Sequence, residues 1–173
     1  MSTRFALMVL VLCQLGTGCA SRDGSGVGPD GSTTACPVTR ESVPGFVPPP
    51  PYPAEPPGAN GAQFWYGSAG LWTMLEPAGA WTGLPLGEGG YSQKVFWWAD
   101  GYSVSEEPIP ELAVTGRLLD GEAGPLIASE ATNAFGDFGD AMLVGVAIPT
   151  AGCWEITGRY RGNELSFVVQ VKP

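Results

Sequence analysis

A strict alternation of apolar and polar side chains dominates the last third of the chain. Trp154, Ile156 and Tyr160 share one parity of their run, and the run from Leu165 to Val171 is apolar at every odd position. Because successive side chains of a β-strand point to opposite faces, each run predicts a strand with one buried face. The short stretch Arg161 to Asn163 between the two runs predicts a hairpin.

Similar strand-like runs recur from Phe64 onward, separated by turns rich in Gly, Pro, Asp and Asn. The 26 glycines and 17 prolines favour such turns over helices. Met142 to Ile148 supplies a further apolar face at its even positions, and Leu112, Val114 and Leu118 supply another. Short strands at this spacing predict an all-β sandwich or barrel. The runs are FWYG, LWTML, AWTGL, KVFWWA, LAVTGRLL, PLIAS, AMLVGVAI, CWEITGRY and ELSFVVQV.

The N-terminus has the pattern of an export signal. Arg4 precedes an apolar run, Phe5 to Leu15, which is shorter than the roughly 20 residues that span a bilayer. The small residues that follow resemble a bacterial lipoprotein signal, although Gly16 stands where such signals carry Leu. We predict a signal peptide at 1–18 and lipidation of Cys19, so that the mature protein is extracytoplasmic and anchored to a bacterial membrane. The alternative is a secreted protein in which Cys19 has no role.

Residues 19–63 are predicted to form a tether between this anchor and a domain at 64–173. Ala20 to Ala35 is rich in Gly, Ser and Asp, with almost nothing to bury, and is expected to be disordered. Val43 to Gly58 is dominated by proline and is expected to be extended polyproline II. We interpret it as a stiff spacer; a docking site for an aromatic-lined groove is the alternative.

Two of the four cysteines remain once the N-terminal ones are assigned. Cys13 would leave with the signal and Cys19 would carry lipid, which leaves Cys36 and Cys153. In an oxidising compartment two remaining cysteines usually pair, so we predict a Cys36–Cys153 disulfide. Free thiols or a redox pair are the alternatives, although the chain has no Cys-x-x-Cys spacing.

The composition argues against several kinds of chemistry. The chain has no histidine, and its net charge of −9 disfavours nucleic acid, whose phosphates require Lys and Arg. Two acid pairs, Glu106 with Glu107 and Asp137 with Asp140, leave an acid-based hydrolase as an alternative. Acids in loops, namely Asp120, Glu122, Asp137 and Asp140, could bind calcium but match no EF-hand spacing. Solvated turns explain all of them, and we predict no enzyme activity, no metal and no cofactor.

The adjacent residues Trp97 and Trp98 must point to opposite faces of one strand. If one fills the core, the other lies on the outer face, where an exposed ring could stack on a sugar or a partner's apolar surface. The favoured interpretation is that a long loop or the N-terminal segment covers it, since large aromatic side chains are mostly buried.

Several blocks of the chain resemble a set of uncharacterised bacterial exported proteins. The blocks are CPV at Cys36 to Val38, LWTML, KVFWW, LAVTGRLLDG, FGDFGDAMLVGVAIPTAGCWEITGR and ELSFVVQV. The resemblance implies an antiparallel immunoglobulin-like β-sandwich, favours a lipoprotein, and supports the cysteine pairing; it implies no activity. The expected function is interaction at the cell envelope, with an envelope protein or a glycan as the possible partner. The alternatives are a glycan-binding module that uses Trp97 or Trp98, and the hydrolase.

Overall fold

The computed structural model describes residues 35–57, 63–134 and 138–173, which form strands and no helix within these ranges. The predicted signal peptide, Cys19 and Asp137 lie outside the described residues. In chain order the strands are β1 (Phe64–Ser68), β2 (Leu71–Leu75), β3 (Ala80–Trp81), β4 (Leu86–Gly87), β5 (Gly90–Trp98), β6 (Ala113–Leu118), β7 (Ile127–Ala128), β8 (Thr132–Ala134), β9 (Ala141–Ile148), β10 (Gly152–Tyr160) and β11 (Asn163–Val171).

The strands form two sheets that pack face to face. The first has the order β1-β2-β5-β9-β7, with β4 also paired to β5 and β8 also paired to β9; the second has the order β3-β11-β10-β6. All pairings are antiparallel except that of β3 with β11. Strands β2, β5, β9 and β7 follow the A-B-E-D order of an immunoglobulin domain, and β11, β10 and β6 follow G-F-C. The predicted immunoglobulin-like sandwich is confirmed, with β1 and β3 as additional edge strands of the first and second sheets.

The core lies between the two sheets and is built from the alternating residues that the sequence predicts. The second sheet contributes the alternating apolar residues of β10 and β11, and β9 contributes its even-numbered residues. Every second residue of a strand is buried because the opposite face of each sheet points away from the core. The buried residues of the core strands are Phe64, Leu71, Leu75, Trp81, Val95, Trp97, Val114, Met142, Val144, Val146, Ile148, Trp154, Ile156, Tyr160, Phe167, Val169 and Val171.

The hairpin between β10 and β11 closes through a two-residue turn. Tyr160 pairs with Asn163, so only Arg161 and Gly162 lie between the strands. Both have positive φ angles, 47° and 80°. This is the mirror-image type I turn, whose twist matches that of two antiparallel strands. The predicted hairpin is confirmed, with a turn one residue tighter than the sequence indicates.

Trp97 ties the two sheets together at the centre of the core. It lies on β5 and packs against Gly158 of β10, where an added Cβ would be 2.5 Å from a ring carbon of the tryptophan. These are the B and F strands, which a disulfide joins in antibody domains. Here a large ring packed on a glycine occupies the corresponding space between the sheets.

The described residues 35–57 pack on the sandwich, which differs from the predicted tether. The backbone N–H of Thr39 donates to the Val168 carbonyl, and the Thr39 hydroxyl accepts from the Val168 N–H. The chain then passes to the outer face of the first sheet, where Phe46 and Tyr52 join a second apolar cluster. We call the described residues 43–57 the strap.

Candidate functional site

Three tryptophans from neighbouring strands form the centre of the second cluster, on the outer face of the first sheet. Trp65 of β1 is 4% exposed, and Trp72 of β2 and Trp98 of β5 are 0% exposed. Trp72 and Trp98 are cross-strand neighbours, and the rings of Trp65 and Trp98 meet edge to face with centroids 4.9 Å apart. An outer sheet face this rich in aromatic surface requires a cover.

The strap and the residue Phe138 supply that cover. Tyr52 meets the Trp72 ring edge-on at 5.0 Å, and Phe46 lies 5.9 Å from the same ring. The Trp65 indole N–H donates to the Pro53 carbonyl over 3.1 Å, and the Trp98 indole N–H donates to the Phe138 carbonyl over 3.0 Å. Burial raises the pKa of Tyr52 to about 12, with a further contribution from the charge of Asp140.

The possible ligand surface at Trp97 and Trp98 is therefore not present as an exposed aromatic face. The two rings do point to opposite faces, as the alternation requires, but both are 0% exposed. Trp97 fills the core, and Trp98 lies in the cluster beneath the strap and Phe138. The favoured interpretation, that a loop or the N-terminal segment covers the outer ring, agrees with the structure.

Cys36 and Cys153 form a disulfide, with a sulfur–sulfur distance of 2.02 Å and Cα atoms 5.4 Å apart. The Cys153 side chain lies on the outer face of β10. It is only 1% exposed, because the segment around Cys36 covers it. The Cys153 N–H donates to a carboxylate oxygen of Asp120 over 2.9 Å. The bond joins the segment that precedes the strap to the outer face of the second sheet.

Among the described members of the predicted acid pairs, which are Glu106, Glu107 and Asp140, Glu107 takes part in a cluster of polar side chains. It accepts hydrogen bonds from the Tyr160 hydroxyl at 2.7 Å, from the Arg161 guanidinium at 2.6 Å and from the Glu111 N–H at 2.9 Å. The Tyr160 hydrogen bond is the main cause that lowers the pKa of Glu107, and burial raises the pKa of Tyr160. Glu107 is thus held as a carboxylate that fixes the β5–β6 loop against the last hairpin, while Glu106 is exposed.

The other described candidate acids are Asp120, Glu122 and Asp140, of which two accept hydrogen bonds from backbone N–H groups. Asp120 accepts from Cys153, and a carboxylate oxygen of Asp140 accepts from the Val104 N–H over 3.3 Å. Glu122 is exposed. Across 35–57, 63–134 and 138–173, no group of three acidic or cysteine side chains is arranged to hold a metal ion.

The outer face of the first sheet continues beyond the strap as a shallow apolar depression, which we call the trough. One row of side chains crosses it from Pro85 through Ser92 and Ala147 to Ile127. The Pro85 carbonyl accepts from the Ser92 N–H, and Ala147 is the cross-strand neighbour of both Ser92 and Ile127. The next row runs from Lys94 to Gly145 and Ser129. The volume is about 630 Å³.

Small side chains form the floor of the trough and larger ones form its sides. Ser92, Gly145 and Ala147 leave the middle strands low, whereas Pro85 and Ile127 stand at the two edges. Ile127 is 63% exposed, which is unusual for a large aliphatic side chain. The site was not predicted from the sequence; its signal was the pair of small outer residues Gly145 and Ala147 in AMLVGVAI, which leave that part of the face low.

Comparisons with protein-family models, with curated proteins and with solved structures give no match to this chain. Within the described part of the chain, no helix of sufficient length and apolarity to cross a membrane is found.

Proposed function

We propose that this protein is a non-catalytic binding module that is anchored to a bacterial membrane through lipidated Cys19 and contacts a protein of the cell envelope. The disulfide supports the compartment, since such bonds persist outside the reducing cytosol. The apolar run before Cys19 supports export.

The trough is the observation that carries the proposal of binding. The strap covers the aromatic half of the outer sheet face, whereas no described residue covers the half formed by Ser92, Ala147 and Ile127. Apolar depressions on the surface of small domains commonly mark sites of protein association. The hydrolase and glycan alternatives have no such support, because Glu107 is bound within its own cluster and both predicted tryptophans are buried.

Fractionation and cross-linking in the native host test this function. We expect the full chain to sediment with membranes, to incorporate labelled palmitate, and to lose both properties when Cys19→Ser removes the acceptor. Formaldehyde treatment of intact cells is expected to give a discrete protein adduct. A cytoplasmic protein with reduced cysteines, or a membrane protein that yields no adduct, would contradict the proposal.

A further inference from the structure

We propose that the trough binds an amphipathic α-helix of the envelope partner, with one carboxylate beside the apolar stripe of that helix. This inference rests on the proposed function and specifies its partner by chemistry. The width of the trough, the pairing of its strands and the charge of Lys94 support it.

The width of the trough fits a helix. Pro85 and Ile127 are separated by three inter-strand spacings, or about 14 Å, because neighbouring strands lie about 4.8 Å apart. An α-helix with its side chains is about 10–12 Å across. Its apolar stripe can therefore rest on the floor between the two edges, and the small side chains of Gly145 and Ala147 allow a close approach.

The strands beneath the trough cannot accept an added strand. β5 is paired with β4 and β9, and β9 is paired with β5 and β7, so their backbone groups are already occupied. An extended peptide on this face would leave its own N–H and C=O groups without sheet partners over an apolar floor. A helix bonds its backbone internally, and only its side chains need to match the surface.

Lys94 specifies the charge of the occupant. It is exposed in the trough and makes no ion pair with any described residue, whereas Arg117, Arg159 and Arg161 are each paired with a glutamate. The chain carries a net charge of −9, so an isolated positive charge beside an apolar floor is a local exception. A carboxylate on the partner helix would neutralise it and fix the register of the helix.

Site-specific photo-cross-linking of the full chain in its native host tests the inference. A photo-reactive amino acid replaces Ile127 at the edge of the trough, and in a matched strain it replaces Ile109, which is 72% exposed in the β5–β6 loop. Mass spectrometry then identifies the peptide attached to the probe. We expect an adduct from position 127 only, on a segment with apolar residues at helical spacing and a nearby Asp or Glu.

Three variants of the position-127 strain test the contacts. Gly145→Leu fills the floor at a site where an added Cβ meets nothing closer than 3.5 Å, and is expected to abolish the adduct without unfolding the domain. Lys94→Glu is expected to lower adduct yield at least about fivefold, since like charges then meet. Lys172→Glu, which changes the net charge equally at the exposed C-terminus, is expected to leave the yield unchanged.

The outcomes separate the inference from the function on which it rests. An adduct with lipid, with glycan, with a second copy, with this chain's own residues or with a non-helical segment would overturn the helix proposal. An adduct from position 109 but not from position 127 would also overturn the helix proposal, although the proposed binding to an envelope protein would stand. If neither position reacts and formaldehyde also gives no adduct, the proposed function fails as well.

Discussion

At the scale of the residue, Gly158 is a position at which the core has no room for a larger side chain. A Cβ there would lie 2.5 Å from the Trp97 ring, which is itself enclosed between the sheets. Gly158→Ala is therefore expected to lower the free energy of unfolding by about 1–3 kcal/mol, as over-packing of a dense core does. Chemical denaturation measures it. Gly145→Ala, on the open face of β9, is the control and should stay within about 0.5 kcal/mol of the parent.

Glu107 makes the stability of the domain depend on pH. Its pKa is lowered in the folded protein, chiefly by the Tyr160 hydrogen bond, so its contribution is present above the unfolded-state pKa and is lost as pH falls through the folded-state value. Glu107→Gln should lower the free energy of unfolding most near neutral pH, and the difference from the parent should shrink in acid.

The exposed neighbour Glu106 provides the control for this experiment. Glu106→Gln removes the same charge one residue away and should leave the curve of unfolding free energy against pH close to that of the parent. A difference between parent and Glu107→Gln that stays constant from neutral pH to pH 3 would contradict the assignment.

At the scale of the element, the strap is held by aromatic contacts rather than by a ladder of hydrogen bonds. Phe46→Ala removes a half-buried ring that packs against Trp72, and should lower the free energy of unfolding by about 1–2 kcal/mol. The loss is smaller than for a fully buried phenylalanine because part of the ring is already exposed to solvent. It should also shift tryptophan fluorescence to the red. Val43→Ala, at a strap position that is 99% exposed, should do neither. Equal effects of the two variants would show that the strap is not packed as described.

The elements that the sequence predicts are those whose local pattern determines them. Each of the nine predicted runs contains a strand, and the alternation of β10 and β11 defines their buried face before any partner is known. The two-residue strand β4 and the short strand β8 were missed, because they are too short to show a period and exist only through pairing with β5 and β9.

The outer aromatic layer could not be read from the sequence because it depends on contacts between distant segments. Alternation correctly puts Trp97 and Trp98 on opposite faces, but it does not say what covers either face. The proline content of the strap suggested extension away from the domain. The residues Phe46 and Tyr52 in the strap indicate packing, since aromatic side chains are rare in solvated spacers and bury large apolar surfaces.

At the scale of the whole molecule, the disulfide joins the start of the described chain to its penultimate strand. Cys36 and Cys153 are 117 residues apart, so the bond encloses the strap and β1 to β9 in one covalent loop. Closing a loop of that size reduces the entropy of the unfolded chain by a free-energy equivalent of about 4–5 kcal/mol. We therefore expect the paired substitution Cys36→Ser and Cys153→Ser to lower the free energy of unfolding by up to that amount, as measured in urea.

The same substitution separates two possible roles of the bond, since it also removes the covalent link between β10 and the segment around residue 36. If the loop restricts mainly the unfolded chain, the oxidised and substituted proteins should keep the same native tryptophan fluorescence while their unfolding midpoints differ. If the bond instead holds the strap in place, the fluorescence of Trp65, Trp72 and Trp98 should change before unfolding begins.

The Thr39–Val168 hydrogen bonds and the ring contacts of Phe46 and Tyr52 hold this segment independently of the bond, so we expect unchanged native fluorescence and different midpoints. Unchanged midpoints would contradict it.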